Sequence, residues 1–144
     1  MAEAAGRFLA ANDGPRIAAI ESGGWDTHAN QGAENGQLAL RLRGLDNALQ
    51  ALRASLADAW RHTAVAVVTE FGRTVPVNGT RGTDHGTATC AFLLGGAIAG
   101  GRVIADWPGL AQQSLHQGRD LRATNDLRSM LKAILASHLR IRER

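Results

Sequence analysis

Ala64-Val65-Ala66-Val67-Val68-Thr69 is a continuous apolar, β-branched run, the composition of a strand covered on both faces rather than wetted on one. Just upstream, from about Gly36 to Arg61, leucines at 38, 42, 45, 49, 52 and 56 recur every three or four residues. That spacing places them along one face of a long helix. Earlier still, Arg16-Ile-Ala-Ala-Ile-Glu21 is a second short apolar run, closed by Ser22-Gly23-Gly24. Strand, long helix and strand in that order predict a right-handed βαβ unit with parallel strands and the leucine stripe covering the sheet. A coiled-coil seam is the weaker reading, because the stripe is short and flanked by strands.

Working outward, the Ala-rich residues 1–13 read as a leading helix stopped by Asn12-Asp13-Gly14-Pro15. A third apolar run, Thr89 to Leu94, ends at Gly95-Gly96, and a short strand is expected near Arg102 to Ala105. The last helix is expected from about Thr124 to Leu139, with Thr124 as N-cap and Leu127, Leu131, Ile134, Leu135 and Leu139 facing inward.

Composition narrows the function classes. With 144 residues, 44% of them hydrophobic and 20% charged, the chain is of ordinary globular type and one-domain size. The net charge of +3 is carried almost wholly by arginine, Lys132 being the sole lysine, and tyrosine is absent. The arginines are scattered and lack interleaved stacking aromatics, which argues against a nucleic-acid partner. The one cluster, Arg140, Arg142 and Arg144, falls at a helix C-terminus, where cations suit the dipole. Cys90, the single cysteine, has no internal disulfide partner and reads as a small buried hydrophobe. No apolar run reaches the length of a membrane span, and Glu3 and Arg7 interrupt the first residues, unlike a signal peptide.

Three polar loops flank the expected strands and hold the residues able to bind a metal. Asp26 and His28 follow the first strand, Glu70 ends the second, and Asp84-His85 precedes the third. Loops at the carboxyl edge of an open α/β sheet converge on one crevice. Carboxylates with imidazoles suit a divalent metal such as zinc, manganese or iron, which activates water or polarises a phosphoryl or sulfuryl oxygen. Each residue also has a plainer role. Asp26 or Thr27 can cap its loop, Glu70 can pair with Arg73, and His62 and His138 sit at helix ends. His116 reads as solvated and Trp25, Trp60 and Trp107 as packing residues. No Gly-x-Gly-x-x-Gly, Gly-Lys-Ser/Thr or Gly-x-Ser-x-Gly is present, which disfavours nucleotide-loop enzymes and serine hydrolases.

Gly23-Gly-Trp-Asp-Thr-His-Ala-Asn-Gln31, Thr69-Glu-Phe-Gly-Arg-Thr74, Gly82-Thr-Asp-His-Gly-Thr87 and Trp107-Pro-Gly-Leu110, in that order and spacing, resemble the bacterial DUF1501 family over residues 16–139. The resemblance implies an alkaline phosphatase-like and sulfatase-like α/β fold: part of a three-layer core, a mostly parallel sheet flanked by helices. Residues 1–144 would then be a single C-terminal fragment of a larger domain. Glu70-Phe71-Gly72 would stand in the place of that superfamily's Asp-His-Gly, and His85-Gly86-Thr87 in that of its later His-Thr element. Phe71 and the short Asp26 to His28 interval depart from the two-zinc pattern and point to one metal or an altered pair. The superfamily's nucleophile and first metal-binding Asp come from an N-terminal strand that has no counterpart here, and no hydroxyl among Thr27, Thr74 and Thr87 is marked as a nucleophile.

The resemblance thus implies a metal-binding, hydrolase-like chain acting on a phosphate or sulfate ester. Its metal ligands would be Asp26, His28, Glu70, Asp84 and His85, with Arg73 and Arg81 on the anion, a task suited to the planar guanidinium. The rival expectation is a noncatalytic metal-binding or envelope interaction module that needs a missing N-terminal segment or an oligomer. The wider family implies an exported, periplasmic parent protein.

Overall fold

Ala-rich sequence and a Glu3–Arg7 pair one turn apart, 2.7 Å between charged atoms, give helix α1 over Ala2–Ala10. Ala11 leaves helical geometry just ahead of the expected stop, as read from the sequence. The computed structural model describes residues 1–141, so Arg142 and Arg144 of the arginine cluster lie outside the described residues. These form two units: Met1–Thr63 with Asn78–Gly82, and Ala64–Val77 with the residues from Thr83 onward.

In the first unit, helix α2 spans Gln37–Leu56 and continues as a 3₁₀ turn over Ala57–His62. Leu52 and Leu56, at the end of the leucine stripe, are buried, and Leu56 is only 1% exposed. They pack toward α1, where Gly6 permits close approach: a Cβ there would fall 1.9 Å from the Ser55 Oγ. The expected sheet-covering role of the stripe is therefore filled at this end by a helix–helix contact. Amphipathic periodicity specifies that a face must be covered but not by what. The run Arg16-Ile-Ala-Ala-Ile-Glu21 forms no strand, and Ile17 is 65% exposed. Apolar composition alone does not make a strand, because its backbone groups need a ladder partner.

In the second unit, the decisive run does form a strand, β1, over Val65–Val67. Its partner is β4, Phe92–Leu94, in antiparallel register with Val65 opposite Leu94 and Val67 opposite Phe92. Strands β2, Gly72–Arg73, and β3, His85–Gly86, form a second antiparallel pair, Arg73 opposite His85. Among the described residues the chain is thus a mixed α/β protein with three α-helices and two small antiparallel sheets. Among the described residues both sheets are antiparallel, so the expected βαβ unit with its parallel strands does not form.

The expected strand near Arg102 to Ala105 is exposed and unpaired in any ladder. Helix α3, Leu127–Ser137, starts later than expected and is capped by the Asp126 carboxylate, which accepts from the Arg128 N–H, rather than by Thr124. Its apolar face remains partly open, with Leu127, Leu131 and Leu135 all at least 36% exposed. Cys90 is exposed instead of buried, because it precedes β4 in a stretch without ladder bonds. Trp107 is also exposed, whereas Trp60 lies under the Arg53 guanidinium. No described helix is long and apolar enough to cross a membrane.

Candidate metal centre

The Trp25-Asp26-Thr27-His28 segment belongs to the first unit. Thr27 is buried at 3% exposure, and its hydroxyl donates to the Gln31 Oε1 at 2.8 Å. Its two neighbours remain about half exposed, and the Asp26 Oδ1 lies 3.0 Å from the His28 Nε2. A carboxylate and an imidazole are thereby held at one place on the loop. The backbone of this loop is fixed by the turn Asn78–Gly82. The Asn78 Nδ2 and the Thr80 hydroxyl both donate to the His28 carbonyl, at 2.9 and 2.7 Å. Ala29 bridges Arg81, whose φ of 60° places a non-glycine residue in the left-handed region. The Arg81 side chain is exposed.

Asp84 and His85 belong to the second unit. Thr74 grips the Asp84 backbone from both sides: its N–H donates to the Asp84 carbonyl at 2.9 Å and its hydroxyl accepts from the Asp84 N–H at 3.1 Å. The exposed His85 ring stacks on Phe71, with centroids 4.3 Å apart and planes within 14°. Phe71 thus supports an imidazole rather than binding metal itself. Arg73 spans the hairpin, its Nε donating to the Thr83 hydroxyl at 3.0 Å and its Nη2 to the Thr83 carbonyl. This guanidinium is already engaged in holding the loop ahead of Asp84. Glu70 is exposed at the bend after β1.

Among the described residues, neither unit by itself gathers three metal-binding side chains at one place. Each unit supplies an incomplete set: the Asp26–His28 pair in one and the adjacent Asp84 and His85 in the other.

Sequence reasoning weighed Thr74 only as a possible nucleophilic hydroxyl and passed over Asn78, Thr80, Thr83 and Asp120, which with it hold these sets in place. Asp120 is the least exposed charged residue described, at 2%. Its Oδ2 accepts from the Thr87 hydroxyl at 2.7 Å, and the Arg119 Nε lies 2.8 Å from its Oδ1. The Thr87 hydrogen bond, reinforced by Arg119 against the opposing effect of burial, holds the Asp120 carboxyl below its usual value. Its one sequence signal is an acidic residue between the Gly118-Arg119 turn and the apolar Leu121. Nothing in that pattern shows that the carboxylate is buried.

Residues 3–144 match the DUF1501 family, which is described as a protein of unknown function, and the chain belongs to that family. No curated protein and no solved structure matches it.

Proposed function

We propose that this DUF1501 chain contributes donors to a divalent metal site: Asp26 and His28 in the first unit, and Glu70, Asp84 and His85 in the second. The observation that carries the reading is the Asp26–His28 pair, 3.0 Å apart and held outward by buried Thr27. Preorganised nitrogen and oxygen donors of this kind suit zinc, manganese or iron.

The chemistry fitting such an ion is hydrolysis or transfer of a phosphate or sulfate ester, the metal polarising the ester oxygen or activating water. Arg81, exposed beside the turn that holds His28, is the better placed of the two arginines to receive the anion, since Arg73 is engaged with Thr83. We further read the chain as part of a larger alkaline phosphatase-like domain that supplies the nucleophile. That reading is supported by the apolar, strand-like runs at Ile17–Ile20 and Val103–Ile104, which are left exposed and, among the described residues, without ladder partners.

The test is elemental analysis of the purified chain beside Asp26→Ala, His28→Ala and His85→Ala. Near-stoichiometric metal in the parent, lost in each variant while far-UV circular dichroism is unchanged, supports the site. Equal metal content in parent and variants refutes the ligand assignment. Metal binding without turnover of phosphate or sulfate esters, even with an upstream segment restored, favours the noncatalytic module.

A further inference from the structure

We infer that Asp120 is a positioning residue for the Asp84–His85 segment, acting through the hydroxyl of Thr87; the inference rests on the metal reading above. The geometry lies wholly within the second unit. Strand β3 carries His85 and Gly86 and is followed at once by Thr87. On the near side, Thr74 holds the Asp84 backbone by two hydrogen bonds. On the far side, the Thr87 hydroxyl donates to the Asp120 Oδ2 at 2.7 Å. The two anchors are themselves joined, because Thr74 and Asp120 form a β-bridge and Val75 N–H donates to the Arg119 carbonyl at 3.1 Å. The potential ligands are thus suspended between two fixed points of one backbone frame.

Asp120 is fixed in turn. Its N–H and carbonyl exchange hydrogen bonds with His116, at 3.0 and 2.8 Å, closing the turn through Gln117 and Gly118. A carboxylate at 2% exposure loses most of its hydration, and its Oδ1 receives no well-aimed hydrogen bond, only the ion pair with Arg119. Burying such a group is unfavourable unless it is satisfied. A neutral Asn or Ser would close the same turn without that cost, so the charge answers a different need. Ionised Asp120 accepts a short, charge-assisted bond from Thr87, which fixes the chain one residue beyond Gly86 more firmly than a neutral acceptor could. Outer partners that orient metal ligands commonly change metal affinity by roughly 10- to 100-fold when removed.

The experiment compares the parent chain with Thr87→Val, which removes the hydroxyl at nearly constant volume, and Thr87→Ser, which restores it. Two quantities are read: amide hydrogen exchange at Asp84 in metal-free protein, and affinity for zinc alone. Thr87→Val is expected to speed Asp84 exchange by roughly tenfold or more and to weaken zinc binding by roughly tenfold or more, with Thr87→Ser returning both toward the parent. Unchanged Asp84 exchange in Thr87→Val overturns the positioning role. Should Thr87→Val fail to fold, Thr87→Ser, which retains the hydroxyl, must keep Asp84 protection near the parent's, while Asp120→Asn, which leaves Thr87 only a neutral acceptor, must lower it; loss in Thr87→Ser or unchanged protection in Asp120→Asn overturns the proposal. If the parent takes up no zinc while exchange responds as expected, the metal reading fails and the positioning of the segment stands.

Discussion

Replacing Gly82 by Ala tests the link between the turn Asn78–Gly82 and the loop that presents Asp26 and His28. A Cβ at Gly82 would lie 2.2 Å from both the carbon and the oxygen of the His28 carbonyl and 2.6 Å from the Ala29 nitrogen. All three are backbone atoms that no rotamer change can clear, so the turn and the loop must separate by about 1 Å or more to reach ordinary contact. Overpacking of this kind costs about 1–3 kcal/mol. Separation also stretches the two bonds to the His28 carbonyl from Asn78 and Thr80, each with a net contribution of about 0.5–1.5 kcal/mol and here near the lower end because both are exposed. The sum is about 2–4 kcal/mol. At a urea slope of about 2 kcal/mol per molar, the unfolding midpoint should fall by about 1–2 M. Urea titration followed by circular dichroism measures the midpoint, and the nuclear magnetic resonance signals of the His28 ring report the loop. An unchanged midpoint with unchanged His28 ring signals would show that the turn does not hold the loop.

Three further outcomes are expected. Leu56→Ala, at the most buried large side chain, should destabilise the chain by about 2–5 kcal/mol, and a shift in midpoint typical of a surface substitution would remove it from the core. The Asp126 carboxyl is lowered from 3.8 to about 2, first by its hydrogen bonds with Arg128. Because the folded value is the lower one, its support of α3 is complete above 3.8 and fades as the pH falls toward 2; Asp126→Ala should lose this acid-range change in helicity, and an identical profile would refute the cap. Cys90 should react with a thiol reagent in the native chain about as fast as in denaturant, while strong native protection would contradict its exposure.

The candidate metal ligands were legible because their chemistry is carried by residue type: Asp26, His28, Asp84 and His85 are conspicuous in polar loops whatever the fold. Their supports were not legible. Thr74, Asn78 and Thr80 act through short backbone contacts with segments as far as 52 positions away, and a threonine or asparagine in a Gly-rich loop looks the same whether or not it makes such a contact. Asp120 is the clearest case, an acidic residue whose role depends on burial against Thr87, 33 positions earlier.

The sequence by itself determined where helices form and what could bind a metal. Local spacing and propensity act within a few residues, and they placed α1, the leucine-striped α2, α3 to within a turn, and the β1 run. Only the tertiary structure decided which partners those elements take. The β1 run is apolar enough for a parallel or an antiparallel neighbour and takes β4 in antiparallel register, while Ile17–Ile20, equally apolar, takes no ladder partner among the described residues. At its C-terminal end the leucine stripe closes on α1, where Gly6 lets Ser55 approach, while Leu42 of the same stripe stays 47% exposed. Hydrophobic burial is non-directional, so a pattern of apolar residues states that a surface will be covered, and steric fit between distant segments selects what covers it.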